Sequence, residues 1–379
     1  MSFNRRETIG LLGGAGLASL SGCANTAQIP TVSQATGLND LARTKGLRFG
    51  TAIGSDALQD PAYLDVIKRE CGILVAENEH KIYVTQGEKG PMDYSRGDAI
   101  VDFAEENDMA MRGHVLLWNR DDFLPAWMPD YDFGPDPRQG MKDYLTDYIR
   151  DLATHYKGRI SSWDVVNETI SPETGLMRDT VFTRNYGPDV VDFAFREAQK
   201  HLPDTQLVYN DYMIWEPGNE KHISGVLKLL EHFRKNDVPI DAFGVQSHLG
   251  TGDGSVYPSG VYPDPQRKEF RQFIDEIVAM DYDLILSEFD VNDTRLPADV
   301  ATRDRLVADY GGAFLDMMLD YSEVKDVLAW GLSDKYSWLQ EWWPREDGVE
   351  KRSTLFDKNM EPKPLYYAVE KSFKTAKPR

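Results

Sequence analysis

The chain has 379 residues, 41% of them hydrophobic and 11% aromatic, enough for one large α/β barrel or two average domains. A formal net charge of −20 repels phosphate backbones and anionic headgroups, so nucleic acid is excluded as a partner, while a neutral polysaccharide is not. There are two cysteines, and no CxxC, HExxH or EF-hand spacing, so neither a disulfide nor a metal site is expected, and no cofactor is called for.

In chain order, residues 1–22 read as an export signal. Arg5 and Arg6 precede a short run of Gly, Ala and Leu that cannot span a membrane, and the pair resembles the twin-arginine type. Leu20-Ser21-Gly22-Cys23 resembles a lipoprotein cleavage box, which makes Cys23 the lipidation site. Residues 23–41 read as a flexible tether and 42–379 as a single folded domain. The expectation is an exported, monomeric lipoprotein, anchored to a membrane through Cys23 and facing the periplasm or cell exterior. Cys71, at the end of an amphipathic stretch, reads as a small core hydrophobe.

From residue 42 the pattern alternates. Short apolar or β-branched runs occupy 47–53, 74–77, 110–118, 160–167, 206–211, 242–248, 284–290 and 327–332. Between them, stretches such as "YLDVIKREC", "MKDYLTDYIRDLATHY" and "ISGVLKLLEHFRKN" repeat apolar residues three and four apart, and "PLYYAVEKSFKTA" closes the chain. Eight strand–helix alternations fit a (β/α)8 TIM barrel. An open doubly wound sheet usually carries a glycine-rich phosphate turn after its first strand, and "GTAIGSDAL" lacks that spacing.

Barrel active sites lie at the C-terminal ends of the strands. There the sequence offers Glu77, Asn78 and Lys81; His114, Trp118 and Asn119; Asn167 and Glu168; Tyr212; Gln246 and His248; Glu288 and Asp290; and Trp330 with Trp338. A lone carboxylate or histidine at a strand end is ordinarily a solvated or structural group. Carboxylates, amides, imidazoles and indoles at nearly every strand end together indicate a polar, aromatic cleft. Glu168 and Glu288 fall on the fourth and seventh strands, which face one another across the mouth. Two carboxyl groups astride a glycosidic bond, one protonated and one ionised, are what glycoside hydrolysis requires. His248 stands where it could hold Glu288 ionised.

At "AEN" with Lys81, "RGHVLLW", "WDVVNE", "YNDY", "GVQSHL", "LSEFDV" and "WGLSDKYSWL", the chain resembles the family 10 glycoside hydrolases, the β-1,4-xylanases. The resemblance implies a cofactor-independent, endo-acting, retaining cleavage of xylan with Glu168 as acid/base and Glu288 as nucleophile. It also implies glycone subsites lined by Asn78, Lys81, His114, Trp118, Asn167, Gln246, His248, Trp330 and Trp338. The chain departs from the family pattern at His80 and Ile82, where Met and Trp are common, at Asn119 for a His, and at Met213 for an Asn. Loss of an indole beside a xylose-shaped pocket would leave room for a hydroxymethyl group, so β-1,4-glucan oligosaccharides are a second expected substrate. The rival readings are a retaining β-1,4-glucanase and a catalytically inactive glycan-binding lipoprotein.

Overall fold

The structure, a computed structural model, describes residues 36–212, 215–250 and 264–379. The expected export signal, Cys23 and Met213 lie outside the described residues. The strands are β1 Arg48–Ile53, β2 Ile73–Ala76, β3 Ala110–Trp118, β4 Ser162–Asn167, β5 Gln206–Asp211, β6 Ala242–Val245, β7 His248–Leu249, β8 Asp283–Val291 and β9 Val324–Ala329. All pairings between them are parallel. β1 to β6 follow in order, β6 pairs with β8, β8 with β9, and β9 with β1, which closes an eight-stranded ring. Arg48 fastens the closing seam, donating to both carboxylate oxygens of Asp326 at 2.5 and 2.7 Å.

The expected helices are present, among them Pro61–Glu70, Pro137–His155, Glu220–Lys235 and Pro364–Thr375. Two begin at Asp-Pro pairs. Asp60 and Asp136 accept hydrogen bonds from first-turn amides, and the proline at the first helical position has no amide to leave orphaned. The helices' apolar faces pack on the outside of the ring. Inside it, Ala52, Ile73, Val75, Val208, Ala242, Ile285 and Leu328 fill the barrel, with Trp330 in the same cluster.

Three differences from the sequence reading have physical causes. Leu38–Arg43 is helical, with Leu38 and Ala42 fully buried and the Leu38 amide donating to Glu70 at 2.9 Å, so the fold begins within the stretch read as tether, 23–41. The sixth run, 242–248, breaks into β6 and β7. Val245 pairs with Leu286 but His248 pairs with Asp290, a one-residue slip taken up at Ser247, whose φ of 66° is left-handed. The last strand starts at Val324 rather than 327 and takes in Asp326, whose charge Arg48 balances.

Candidate active site

Parallel register lines up the rim. Trp118 on β3 pairs with Asn167 on β4, Asn167 with Asn210 on β5, and Asn210 with Gly244 on β6. Glu168, directly after β4, has a φ of 54°, a left-handed conformation that costs a non-glycine residue about 1 kcal/mol. Its amide donates to the Asn210 carbonyl at 3.0 Å, and its own carbonyl accepts from Arg178 Nε at 2.8 Å. These two bonds hold the turn that aims the side chain into the mouth.

A chain of amides joins the two glutamates. Glu168 Oε1 accepts from Asn167 Nδ2 at 3.2 Å and Gln246 Nε2 at 3.0 Å. Gln246 Nε2 also reaches Asn167 Oδ1 at 3.2 Å, and the same oxygen accepts from Asn210 Nδ2 at 3.0 Å. Asn210 Nδ2 in turn donates to Glu288 Oε1 at 2.7 Å. Asn210 is itself fixed by Ser287 Oγ, which donates to its Oδ1 at 2.6 Å. Neutral amides orient both carboxyl groups without adding charge.

The two carboxyl groups have different electrostatic partners. Glu288 is 5% exposed, and burial alone would raise its pKa. The hydrogen bond from His248, with the positive charge of His114, His248 and Lys81, outweighs that penalty and brings it down to about 2. His248 lies between two carboxylates, with Nε2 3.1 Å from Glu288 and Nδ1 3.0 Å from Asp290. Both ring nitrogens must therefore donate. Burial pushes the imidazole down, but Asp290 and Glu288 push it up more, to about 10. Asp290 also accepts from Trp338 Nε1 at 2.7 Å, and the Trp338 ring packs on His248. Glu168 sits instead beside Arg120, whose Nη1 is 3.1 Å from Oε2.

The remaining predicted residues divide. Lys81, buried among carboxylates, lies over the rings of Trp118 and Trp330 and donates to Asn78 Oδ1 at 3.1 Å. Burial lowers its pKa, and Glu288, Glu77 and Glu168 pull it back up. Burial also raises Glu77, against Lys81, to about 7. His114 pairs through Nδ1 with Asp164 at 2.9 Å and meets Trp330 edge-on, so the floor of the mouth is continuous with the buried Arg112–Asp164 pair inside the barrel. Trp118 stacks on Phe123 with ring centroids 4.0 Å apart. The Tyr212 hydroxyl accepts from Arg178 at 2.6 Å, which links it to the Glu168 turn.

Asn119, expected to bind substrate, spends its side-chain amide on neighbouring loops. It is fully buried, donating to Thr169 at 2.5 Å and accepting from Thr180 at 2.6 Å, and so ties the β3 loop to the β4 loop. His80 and Ile82 also turn away from the mouth. His80 packs against Tyr156 and Trp163, burial drives its pKa down to about 3, and Ile82 belongs to the core around the ring. Two groups the sequence reading did not select do reach the carboxylates. Asn210 stood in the quoted "YNDY", but Arg120, in "WNRDDF", gave no signal beyond that of a loop charge. Among the described residues no cluster of three or more His, Cys, Asp or Glu side chains is arranged to hold a metal.

The family description "Glycosyl hydrolase family 10" matches residues 37–372. Endo-1,4-beta-xylanase B of Thermotoga neapolitana is 28% identical over 340 residues, 89% of this chain and 91% of that protein. Endo-1,4-beta-xylanase 5 of Pyricularia oryzae is 30% identical, over 88% of this chain and 78% of its own. Native xylanase 10B from Thermotoga maritima superposes with a TM-score of 0.78 at 30% identity, covering 89% of this chain and 98% of that one. Xylanase 10B of Thermotoga petrophila in complex with xylobiose gives 0.79 at 29%, covering 90% and 98%.

Proposed function

The chain belongs to glycosyl hydrolase family 10, and from that premise we propose that it hydrolyses internal β-1,4-xylosidic bonds of xylan with retention at the anomeric carbon. The observation that carries this reading is the setting of Glu288, clamped by His248 and joined to Glu168 through Asn210, Asn167 and Gln246. Glu288 is held ionised by His248 and aligned by Asn210, as a nucleophile must be. In the first step a Glu288 oxygen bonds to the anomeric carbon, the glycosidic bond breaks, and Glu168 gives its proton to the leaving oxygen. In the second step Glu168 takes a proton from water, the water oxygen bonds to that carbon, and Glu288 leaves as carboxylate. Lys81, Asn78 and the indoles of Trp330 and Trp338 are the sugar-binding groups of this reading.

Xylan alone is proposed, because His80, Ile82 and Asn119, which suggested glucan, face away from the mouth. Two carboxyl groups with complete polar partners argue against an inactive binding protein. We also infer export and anchoring through a lipid on Cys23, on the evidence of Arg5-Arg6 and Leu20-Ser21-Gly22-Cys23. The test is product analysis on parallel xylo- and cello-oligosaccharide series, with the anomer of the fresh product read by NMR. Xylose-series cleavage giving the β-anomer first is expected. Inverted product, or cleavage of the glucose series alone, would refute the reading. Replacing Glu168 with Ala should lower kcat/KM on xylan by about 100-fold or more while sparing kcat/KM on aryl glycosides whose leaving group needs no proton, with kcat falling on both because the second step loses its base.

A further inference from the structure

We propose that Arg120 is a positioning residue that fixes the Glu168 carboxylate through Oε2 between the two steps, and that it must release Oε2 before that oxygen can protonate the leaving group. This rests on the reading of Glu168 as acid/base. The argument is one of hydrogen-bond capacity. An ionised carboxyl group only accepts, whereas a protonated one carries a donor on one oxygen. Oε1 already accepts from Asn167 and Gln246. Neither amide is free to present its oxygen instead. Turning Asn167 over would lose the bonds its Oδ1 accepts from Asn210 and Gln246, and turning Gln246 over would lose both bonds made by its Nε2. The catalytic proton therefore belongs on Oε2.

Oε2, however, faces Arg120 Nη1 at 3.1 Å. A guanidinium has only donors and does not give up its proton in proteins, so a protonated Oε2 and Arg120 cannot share that line. Arg120 has somewhere to go. Its side chain is 25% exposed, and its Nη2 is 3.1 Å from Asp122, which is itself 75% exposed. Its guanidinium lies over the Phe123 ring at 4.9 Å. Its Nε is buried without a hydrogen-bond partner among the described residues, so its hydrogen bonds are those of the Nη groups.

The other ionisable groups around Glu168 are Arg178 from the β4 loop, Tyr209 and Tyr212 from β5 and just beyond, Lys81 after β2 and Glu288 on β8. Among the described residues, Arg120 alone is an ion-pair partner of the Glu168 carboxylate. In place, it favours the carboxylate that must take a proton from water in the second step. It opposes the acid needed in the first, so a leaving group that requires protonation has to displace it.

The test compares wild type, Arg120→Leu and Arg120→Lys on xylotetraose, whose leaving group needs a proton, and on dinitrophenyl β-xylobioside, whose leaving group does not. On the alkaline side of the profile, Arg120→Leu is expected to raise the ratio of the two kcat/KM values, xylotetraose over aryl glycoside, by about tenfold. Arg120→Lys, which restores a cation, should return most of the way to the wild-type ratio. A purely structural or sugar-binding role would move both substrates together, so an unaltered ratio in folded Arg120→Leu overturns the proposal. If that variant does not fold, Arg120→Gln, which also lacks the charge, is read in its place, and an unaltered ratio there does the same. Wild-type protein that cleaves neither substrate would instead remove the proposed function itself.

Discussion

His248 couples charge, geometry and stability at one residue. Its imidazolium lies between Glu288 and Asp290, and the indole of Trp338 fixes Asp290 from behind. The pH consequences have opposite signs. His248 is raised from about 6.5 in the unfolded chain, so its stabilisation is complete below about pH 6.5 and is lost as pH rises toward about 10. Glu288 is depressed from about 4.3, so its share is present above that value and is lost as pH falls toward about 2. Comparing Tm for wild type and His248→Asn across pH should show the largest gap between about pH 4.5 and 6.5, closing on both sides. A gap that did not vary with pH would mean that packing against Trp338, and not charge, is what His248 contributes.

At the scale of the element, β6 shows how a strand can serve a side chain on its neighbour. Gly244 lies beside Asn210 in the ladder, and a Cβ there would sit 2.2 Å from Asn210 Oδ1. Only a glycine lets Asn210 stand upright, accept from Ser287 and donate to Glu288. Gly244→Ala is expected to lower kcat by about tenfold or more, through misplacement of Glu288, before it unfolds the barrel. The check is kcat beside a thermal melt, and a melt that drops while kcat holds would assign Gly244 to packing alone. The slip at Ser247 belongs to the same scale. It sets His248 opposite Asp290, so the break between β6 and β7 is what assembles the imidazolium clamp.

In the whole molecule, the ring of strands shuts where β9 meets β1, and the helices Leu38–Arg43 and Pro364–Thr375 pack over that seam. Arg379 continues the closure, donating from Nε to the Val324 carbonyl at 2.9 Å. One buried group away from the mouth works against the fold. Glu216 is 1% exposed, and Oε1 accepts from Gly250 at 2.5 Å and Tyr310 at 2.8 Å, but Oε2 has no hydrogen-bond partner among the described residues. Burial raises its pKa to about 7 despite the hydrogen bonds. Between about pH 4.3 and 7 the folded state keeps a proton that the unfolded chain has lost, so stability falls as pH rises through that window. Glu216→Gln should therefore raise Tm above pH 7 and lose its advantage below about pH 4, as thermal melts at the two extremes would reveal.

The sequence by itself determined the ring and the carboxyl pair. Short continuous apolar runs mark the strands, which are buried on both faces, and a 3.6-residue period marks the helices between them, while Glu168 and Glu288 fall at strand ends whose order in a barrel sets them across the mouth. Tertiary structure alone decided which neighbours of those strands face the cleft. Asn119, His80 and Ile82 follow strand ends, where backbone torsions no longer alternate regularly, so their directions depend on Thr169, Tyr156 and the surrounding core. Arg120 meets Glu168 across 48 residues and Asn210 meets Glu288 across 78. Such contacts leave no periodic trace, because they arise from the closing of the ring and the folding of its loops rather than from the local chain.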